Sequence, residues 1–244
     1  MGRFEGRTAL VTGAASGMGL LTARLFHEEG AHVVMLDINA DALREKAAEI
    51  GCDWRVCNVR EYGDIEGAVR YAEEKYGAVE YTVSYAGGNA SRVCQQYRPF
   101  HKMDLDALQW GIDVNFRAPL YMARAVLDGM LTRGRGVIVN IGSIDGVTGG
   151  CGGADYSAEK AGLIGLTKSL SLMGAPRGVR SVCVSPGPVM TREAMKNMKT
   201  PMGRAAEVRE VVDLVLYLCS DEAAFITGQN IVIDGGRANA GGLY

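Results

Sequence analysis

Residues 8–19, with the sequence TALVTGAASGMG, join a short apolar run to a glycine-rich turn and the start of a helical pattern. In such a turn Gly13 lets the chain bend sharply, Gly17 lets backbone approach a pyrophosphate, and Gly19 lets the helix pack closely on the strand. The first N–H groups of the helix and the positive end of its dipole then face the phosphates. We therefore predict a dinucleotide site at this turn. The site also includes Ser16 and Met18.

An acidic residue follows this turn at the distance at which a carboxylate meets the adenosine ribose. Asp37 comes eighteen residues after Gly19, at the end of the second predicted strand, and a carboxylate there hydrogen-bonds the ribose hydroxyls. The same negative charge repels the 2′-phosphate of NADP. The neighbouring residues Ser16 and Ile38 supply no positive charge that would attract this phosphate. We predict that the cofactor is NAD and that Asp37 and Ile38 contact it.

Short apolar runs alternate with helical patterns along the whole chain. The predicted strands are residues 8–12, 32–36, 53–57, 80–84, 136–141, 180–184 and 230–233. The predicted helices are residues 17–29, 40–50, 61–76, 104–133, 155–174 and 207–219. The strands are nearly continuous apolar runs, as expected for strands that are covered on both faces. The alternation predicts one doubly wound α/β domain over residues 1–244, with parallel strands and right-handed crossovers.

Composition excludes several classes of protein. The chain has 244 residues, 48% of them hydrophobic, and a formal net charge of −2, so no basic excess is available to neutralise a nucleic-acid backbone. No apolar run approaches the ~20 residues that cross a bilayer. The six cysteines are scattered without a metal-binding spacing. We therefore expect reduced thiols, no metal site, no nucleic-acid or membrane partner, and a cytoplasmic location.

Three polar residues follow at the predicted carboxyl edge of the sheet. Ser143 comes just after the strand 136–141, and Tyr156 and Lys160 are four residues apart on the helix 155–174, so these two share a helix face. A ketone that accepts hydride needs a proton donor, and the reverse reaction needs a base. A free tyrosine titrates near ~10, and an adjacent ammonium is expected to lower that pKa. We predict that Tyr156 is the acid and base and that Ser143 holds the substrate oxygen.

A proline inside a predicted helix singles out Asn115. Pro119 lies four residues after Asn115 in the helix 104–133. Because proline has no N–H, the Asn115 carbonyl lacks its ordinary helical donor. That carbonyl is then free to hold a water beside Lys160, through which protons pass to solvent. The alternative interpretation is a kinked helix with a surface asparagine.

These motifs resemble those of the short-chain dehydrogenase/reductase family over essentially the whole chain. The resemblance rests on the glycine turn, Ser143, the pair Tyr156-x-x-x-Lys160, and the segments 186–191 (PGPVMT) and 232–236 (VIDGG). It implies a single Rossmann-like domain with a seven-stranded parallel sheet, and substrate loops near residues 88–103 and 190–203. It implies a catalytic set of Ser143, Tyr156, Lys160 and Asn115.

The resemblance also implies a cofactor site and an assembly. Tyr156 and Lys160 belong to the cofactor site as well, and Lys160 bonds the nicotinamide ribose. The further cofactor residues that it implies are Asn58, Val59, Ala86, Gly87, Pro186, Gly187, Val189 and Thr191. Family members are usually tetramers and sometimes dimers, formed through the helices that correspond to residues 104–133 and 155–174. We therefore expect a homotetramer, with a dimer as the alternative.

After the fourth predicted strand, the chain departs from the family pattern Asn-Asn-Ala-Gly. It has Ser84-Tyr85-Ala86-Gly87 instead. Ala86 and Gly87 still leave room for the cofactor ribose. Tyr85 either packs over the adenosine or disturbs the turn, and the sequence does not decide between the two.

The resemblance implies an oxidoreductase that transfers hydride between NAD(H) and a secondary alcohol or ketone, a small molecule that the sequence does not identify. One alternative is a 3-oxoacyl carrier-protein reductase. Asp37 disfavours it, because biosynthetic reductases generally use NADPH, and so does the lack of an evident basic patch for an acidic carrier protein. The other alternative is a non-catalytic dinucleotide-binding scaffold. The departure at Ser84-Tyr85 favours this scaffold, and the complete catalytic set argues against it.

Overall fold

The strands and helices of the chain are those of a computed structural model that describes residues 2–150 and 153–240. The strands are β1 (Thr8–Thr12), β2 (His32–Asp37), β3 (Asp53–Val56), β4 (Tyr81–Ser84), β5 (Gly136–Ile141), β6 (Val179–Pro186) and β7 (Asn230–Ile233). The α-helices are α1 (Gly17–Glu28), α2 (Ala40–Ile50), α3 (Tyr62–Tyr76), α4 (Ala90–Val93), α5 (Leu105–Ile112), α6 (Ala118–Arg133), α7 (Asp145–Thr148), α8 (Ala154–Gly174) and α9 (Val208–Cys219).

The strands form one parallel sheet in the order β3-β2-β1-β4-β5-β6-β7. The chain winds outward from β1 to one edge and then from β4 to the other, so the winding direction reverses between β1 and β4. Helices cover both faces. One apolar cluster packs α1, α2 and α9 against the sheet, and a second packs α3 and α6. The prediction of a single Rossmann-like, doubly wound α/β sheet is confirmed, and such sheets bind ligands where the winding reverses.

β3 departs from the prediction that every strand is covered on both faces. Trp54, Arg55 and Val56 are exposed. The reason is position, because β3 is an edge of the sheet and pairs only with β2. That part of the prediction is therefore wrong.

The predicted helix 104–133 is interrupted at its centre. α5 ends at Ile112, a π-helical turn covers Asp113–Arg117, and α6 begins at Ala118 with Pro119 in its first turn. A proline is tolerated at the start of a helix because its missing N–H is not needed there. The wide turn therefore lies around Asn115, which the sequence analysis singled out.

The two predicted substrate loops contain short helical segments that the sequence did not reveal. α4 lies within residues 88–103, and a 3₁₀ turn, Glu193–Asn197, lies within residues 190–203. Residues of both loops line the cleft at the carboxyl edge of the sheet. The two segments therefore have the placement that substrate loops need.

The described cysteines carry free thiols, and three of the five are buried. Cys151 lies outside the described residues. In residues 2–150 and 153–240, we find no helix with the length and apolar character that crossing a membrane requires.

Candidate active site

A cleft of about 950 Å³ opens at the carboxyl edge of the sheet. Ligand sites usually measure roughly 300–1,000 Å³, so this cleft has room for a dinucleotide together with a small substrate. Its wall contains the predicted residues Gly13, Ser16, Gly17, Met18, Gly19, Asp37, Ile38, Asn58, Val59, Ala86, Gly87, Ser143, Tyr156, Lys160, Pro186, Gly187, Val189 and Thr191. Asn115, the remaining predicted residue, is fully buried and does not line the wall.

The glycine turn between β1 and α1 leaves no room for side chains. A Cβ on Gly19 would overlap the carbonyl oxygen of Gly13, and a Cβ on Gly13 would lie 2.9 Å from the backbone nitrogen of Ala86. Gly17 has a φ of +55° and faces the cleft. Within the described residues no side chain caps α1, so the N–H groups of its first turn are available to a phosphate. The turn therefore fits the pyrophosphate of a dinucleotide.

Two backbone N–H groups hold the carboxylate of Asp37 at the end of β2. One oxygen accepts a hydrogen bond from Ala15 at 3.0 Å, and the other accepts one from Asn39 at 3.0 Å. Because Ala15 belongs to the glycine turn, this contact sets the position of the acid relative to the phosphate site. Each carboxylate oxygen keeps a lone pair for a further donor. Asp37 thus presents an acceptor to the cleft beside Ile38, which is 69% exposed.

The turn after β4 is intact despite the unusual pair Ser84-Tyr85. The Tyr85 hydroxyl lies 2.8 Å from Oγ1 of Thr22 in α1. Ala86 donates its N–H to Oγ1 of Thr12 at 3.1 Å. Tyr85 therefore anchors the turn to α1 and does not disturb it. Tyr85 also lines the cleft.

The other predicted cofactor residues lie on two loops at the cleft. Oδ1 of Asn58 accepts the N–H of Arg60 at 3.2 Å, so the Asn58 amide nitrogen remains a donor for a ligand. The Thr191 hydroxyl donates to the carbonyl of Val189 at 3.4 Å. A Cβ on Gly187 would lie 2.8 Å from the residue after β7, so only glycine lets the loop pass this close to the sheet.

Tyr156 and Lys160 meet at one end of the cleft, as their four-residue spacing predicts. Nζ of Lys160 lies 5.7 Å from the centre of the Tyr156 ring, and it donates a hydrogen bond to the carbonyl of Ile141 at 2.8 Å. Ile141 ends β5, so this bond joins α8 to the carboxyl edge of the sheet. Ser143 follows two residues later, and its Oγ accepts the N–H of Asp145 at 3.1 Å.

Burial opposes the pKa change that the sequence predicted for the tyrosine. Burial raises the pKa of Tyr156 to about 12, and the Ser143 hydroxyl offsets only part of that rise. Burial also lowers the pKa of Lys160 to about 8. Both shifts arise because desolvation disfavours the charged form. The net shift of Tyr156 is therefore opposite to the prediction, and the lowered pKa lets Lys160 give up its proton more readily than a free lysine does.

The amide of Asn115 joins three elements inside the protein. Its Oδ1 accepts the N–H of Gly88 at 2.8 Å, and its Nδ2 donates to the Gly88 carbonyl and to Oε2 of Glu159, both at 2.8 Å. A π turn interrupts the helix here, and the asparagine is buried, not at the surface as the alternative interpretation states. These bonds connect the π turn with α8 and with the segment that follows β4.

Glu159 is a site residue that the sequence analysis missed. The residue is only 6% exposed, and one carboxyl oxygen has no hydrogen-bond partner among the described residues. Burial raises the pKa of Glu159 to about 7, with a smaller rise from Asp155 and an opposing effect of the Asn115 bond. A signal was available, since Glu159 directly precedes Lys160. A single sequence does not reveal, however, that this acid packs against Gly111 of α5.

We expect the substitution Glu159→Gln to stabilise the protein at alkaline pH. A carboxyl whose pKa rises from 4.5 in the unfolded chain to about 7 on folding favours folding below pH 4.5, and this contribution is lost as the pH rises through about 7. Glutamine keeps an oxygen for the Asn115 amide and carries no charge. Near pH 8.5 the variant should gain on the order of 2–3 kcal/mol in the free energy of unfolding.

Thermal unfolding of both proteins across the pH range tests this expectation. The two proteins should unfold alike near pH 4.5 and diverge above neutrality. The control is Glu74→Gln, a change of an exposed glutamate on α3, which should show no such divergence. Equal stability of wild type and E159Q at both ends of the range would contradict the expectation.

Comparison with known proteins shows similarity over almost the whole chain. Residues 13–238 match a family model described as enoyl-(acyl carrier protein) reductase. The 3-oxoacyl-(acyl-carrier-protein) reductase of Thermotoga maritima is 35% identical over 96% of this chain and 98% of that protein. The 7alpha-hydroxysteroid dehydrogenase of Bacteroides fragilis is 32% identical over 97% of this chain and 96% of that protein. A crystal structure described as ribose-5-phosphate isomerase from Brucella melitensis 16M has a TM-score of 0.90 and 30% identity, covering 98% of this chain and 95% of that one.

Proposed function

The chain belongs to the short-chain dehydrogenase/reductase family of oxidoreductases, which use nicotinamide dinucleotides, and we propose that it transfers hydride between NAD(H) and a secondary alcohol or ketone. One observation carries the proposal. Ser143, Tyr156 and Lys160 meet in the same cleft as the glycine turn that fits a pyrophosphate. A scaffold that only binds a dinucleotide would use Tyr156 and Lys160 to hold the cofactor, but it has no use for Ser143 beside them.

The hydroxyls of Ser143 and Tyr156 have different roles toward the substrate oxygen. The nicotinamide ring, when bound, gives or accepts the hydride. Tyr156 supplies the proton to the developing alkoxide during reduction and removes it during oxidation. Because Oγ of Ser143 already accepts the N–H of Asp145, its own proton is available to the substrate oxygen. Ser143 thus orients the carbonyl that Tyr156 protonates.

Lys160 and Asn115 then connect Tyr156 with solvent. The ammonium of Lys160 is held by the Ile141 carbonyl, and its pKa of about 8 lets it lose and regain a proton near neutral pH. The backbone carbonyl of Asn115 receives no helical hydrogen bond from Pro119. We assign to this carbonyl the role of holding the water through which the Lys160 proton is exchanged.

The proposed preference for NAD rests on the charge at the adenosine end of the cleft. Asp37 presents its carboxylate there, and a 2′-phosphate would meet this negative charge. Arg60 also lines the cleft, but its guanidinium donates to Asp113 at 3.2 and 3.3 Å. Ser16 and Ile38, the neighbours of Asp37, carry no charge that would attract a 2′-phosphate. The ribose hydroxyls of NAD are therefore a better partner for Asp37 than the phosphorylated ribose of NADP.

We expect purified protein to bind NADH at least tenfold more tightly than NADPH and to oxidise a secondary alcohol with NAD. Nucleotide fluorescence gives both dissociation constants. Absorbance of the reduced nicotinamide gives turnover on secondary alcohols, steroids and polyols, and on acyl thioesters in the direction of reduction. Tighter binding of NADPH, with turnover of 3-oxoacyl thioesters alone, would instead support the 3-oxoacyl carrier-protein reductase, which the similarity to the Thermotoga maritima enzyme keeps as the second candidate.

We also propose a homotetramer, or a dimer, formed through α5, α6 and α8. The outer face of α8 exposes the small residues Ala158, Ala161 and Gly165, followed by Leu172, which is 79% exposed. Small residues let a helix of a second copy approach closely, as an interface between identical copies needs.

A further inference from the structure

Most of the charged side chains in the part of the cleft near Tyr156 and the two substrate loops are positive. Arg92, Arg192 and Arg237 line the wall there, together with one half-buried carboxylate, Asp145. None of these three arginines forms an ion pair with another residue of the described ranges 2–150 and 153–240. By contrast, Arg60, the other arginine of the wall, is paired with Asp113.

We propose that the substrate carries an anionic group, a carboxylate or a phosphate, and that the guanidinium of Arg92 binds this group beside the reacting carbon. The proposal rests on the proposed function and names the substrate class of the same site. A guanidinium suits this role because its planar N–H groups bind carboxylates and phosphates in pairs.

Arg92 lies against the segment after β4 whose backbone binds Asn115. Arg92 lies on α4, and the side chain of Asn89 caps the start of this helix by accepting the Arg92 N–H at 3.3 Å. A Cβ on Gly88 would lie 2.8 Å from Nη2 of Arg92. The guanidinium therefore lies against the backbone of Gly88, which also binds the Asn115 side chain. Its charge slightly opposes the rise in the pKa of Tyr156 that burial causes.

Arg237 also lines the cleft, and its guanidinium already has a partner. Its Nη1 donates to the carbonyl of Lys199 at 3.2 Å, and its charge opposes the rise in the pKa of Asp145 that burial causes. The nearby Asp234 does not neutralise it, because both Asp234 oxygens accept backbone N–H groups of the turn. Since Asp145 partly balances Arg237, Arg92 is the more available partner for an anion.

The two loops at the mouth of the cleft add positive charge to the same region. Residues 88–103 contain two arginines and one lysine and no acidic residue, although Arg98 pairs with Asp104 just after the loop. Residues 190–203 contain one arginine and two lysines with one glutamate. That glutamate, Glu193, pairs with Lys196. The sequence analysis found no evident basic patch, because these loops lie about a hundred residues apart in the chain. The fold brings them together, and a positive mouth attracts anionic ligands.

The cofactor does not account for Arg92. The pyrophosphate has the glycine turn and the first N–H groups of α1, at the end of β1. Arg92 instead contacts Gly88, whose backbone binds Asn115, and its charge acts on Tyr156, where the proposed chemistry places the substrate carbon. An anion at Arg92 is therefore a feature of the substrate.

A binding experiment tests the proposal without turnover. The NADH complex is titrated with 3-hydroxybutyrate and cholate, each compared with its methyl ester, and with glycerol 3-phosphate compared with glycerol. Nucleotide fluorescence reports binding. The two acid–ester pairs test recognition of a carboxylate, and the glycerol pair tests recognition of a phosphate. At least one anionic probe should bind at least tenfold more tightly than its neutral partner. Arg92→Gln should weaken that probe about 10–100-fold, as expected for a lost hydrogen bond between charged groups.

The matched control is Arg70→Gln. Arg70 is exposed on α3 and does not line the cleft, so this variant should bind the anionic probe like wild type. With a probe that is also a substrate, R92Q should raise KM and change kcat little, because the guanidinium binds the anion equally before and during reaction. The neutral partner should show no change.

Three outcomes would overturn the proposal. Anionic probes that bind no better than their neutral partners exclude an anion site, as does the absence of binding by all three anions. If R92Q and R70Q lost the same affinity for the anionic probe, the effect would come from the net charge of the protein and not from a site at Arg92. A chain that binds no NADH at all would refute the proposed function instead, so the two failures are distinguishable.

Discussion

Replacing Tyr156 with phenylalanine should lower kcat at least about a thousandfold while leaving the affinity for NADH within a factor of about three. General acid–base catalysis by one positioned side chain contributes roughly 10²–10⁴-fold. We expect a value in the upper part of this range, because the phenol is the proposed proton donor to the substrate oxygen. Phenylalanine keeps the ring over which Nζ of Lys160 lies at 5.7 Å, so the cleft should keep its shape.

Steady-state turnover and nucleotide fluorescence measure the two halves of this expectation. Tyr217→Phe is the matched control, since Tyr217 lies on α9 outside the cleft and its hydroxyl has no assigned role. This control should turn over like wild type. If Y156F kept more than a tenth of the wild-type kcat, the assignment of acid and base would be wrong. If Y156F lost NADH binding together with activity, the result would show damage to the cofactor site and would not support the proton-transfer role.

The strands and the glycine turn could be predicted from the sequence because both depend on local patterns. A buried parallel strand needs an apolar run, and the next strand in the chain follows after a helical crossover. All predicted strands therefore lie within two residues of those observed. The turn at residues 13–19 needs glycine for steric reasons that any dinucleotide turn shares. The same logic placed Tyr156 and Lys160 on one face of a helix.

Features that depend on tertiary packing could not be predicted. Glu159 is buried because α8 packs against Gly111 and Asn115. The residues next to Glu159 in the sequence do not indicate this contact. The net pKa of Tyr156 was predicted in the wrong direction for a related reason. The sequence shows which charge lies nearby but not how much water the fold removes, and here desolvation dominates. The arginines at the mouth of the cleft were missed because they come from separate segments of the chain.

The cofactor preference should shift when Asp37 loses its charge. Asp37→Ser should weaken NADH binding about 10–100-fold, because hydrogen bonds to a charged group contribute about 1.5–3 kcal/mol. NADPH should bind more tightly than it does to wild type, because the repulsion of its 2′-phosphate is removed. The ratio of the two dissociation constants should therefore change by more than about tenfold. Fluorescence titration with both nucleotides measures this ratio.

Asp37 also accepts the N–H groups of Ala15 and Asn39, so D37S can disturb the glycine turn as well as the charge. Ile38→Arg separates the two effects. Ile38 is 69% exposed, so an arginine fits there without repacking and adds a partner for the 2′-phosphate. I38R should strengthen NADPH binding about tenfold and leave NADH binding nearly unchanged. Asp41→Ser, an exposed change on α2, should alter neither nucleotide.

The strongest contradiction would be a wild-type protein that binds NADPH more tightly than NADH. Such a result would require a cation at the 2′-phosphate that outweighs Asp37, and among the described residues of the cleft wall Arg60 is the arginine on the segment that follows β3. Its guanidinium would have to leave Asp113, whose side chain is 3% exposed, and this would leave a buried carboxylate with Arg117 and Gln109 as its remaining partners. Leaving a buried charge less fully paired is costly. That cost adds to the repulsion by the Asp37 carboxylate as a reason for expecting NAD.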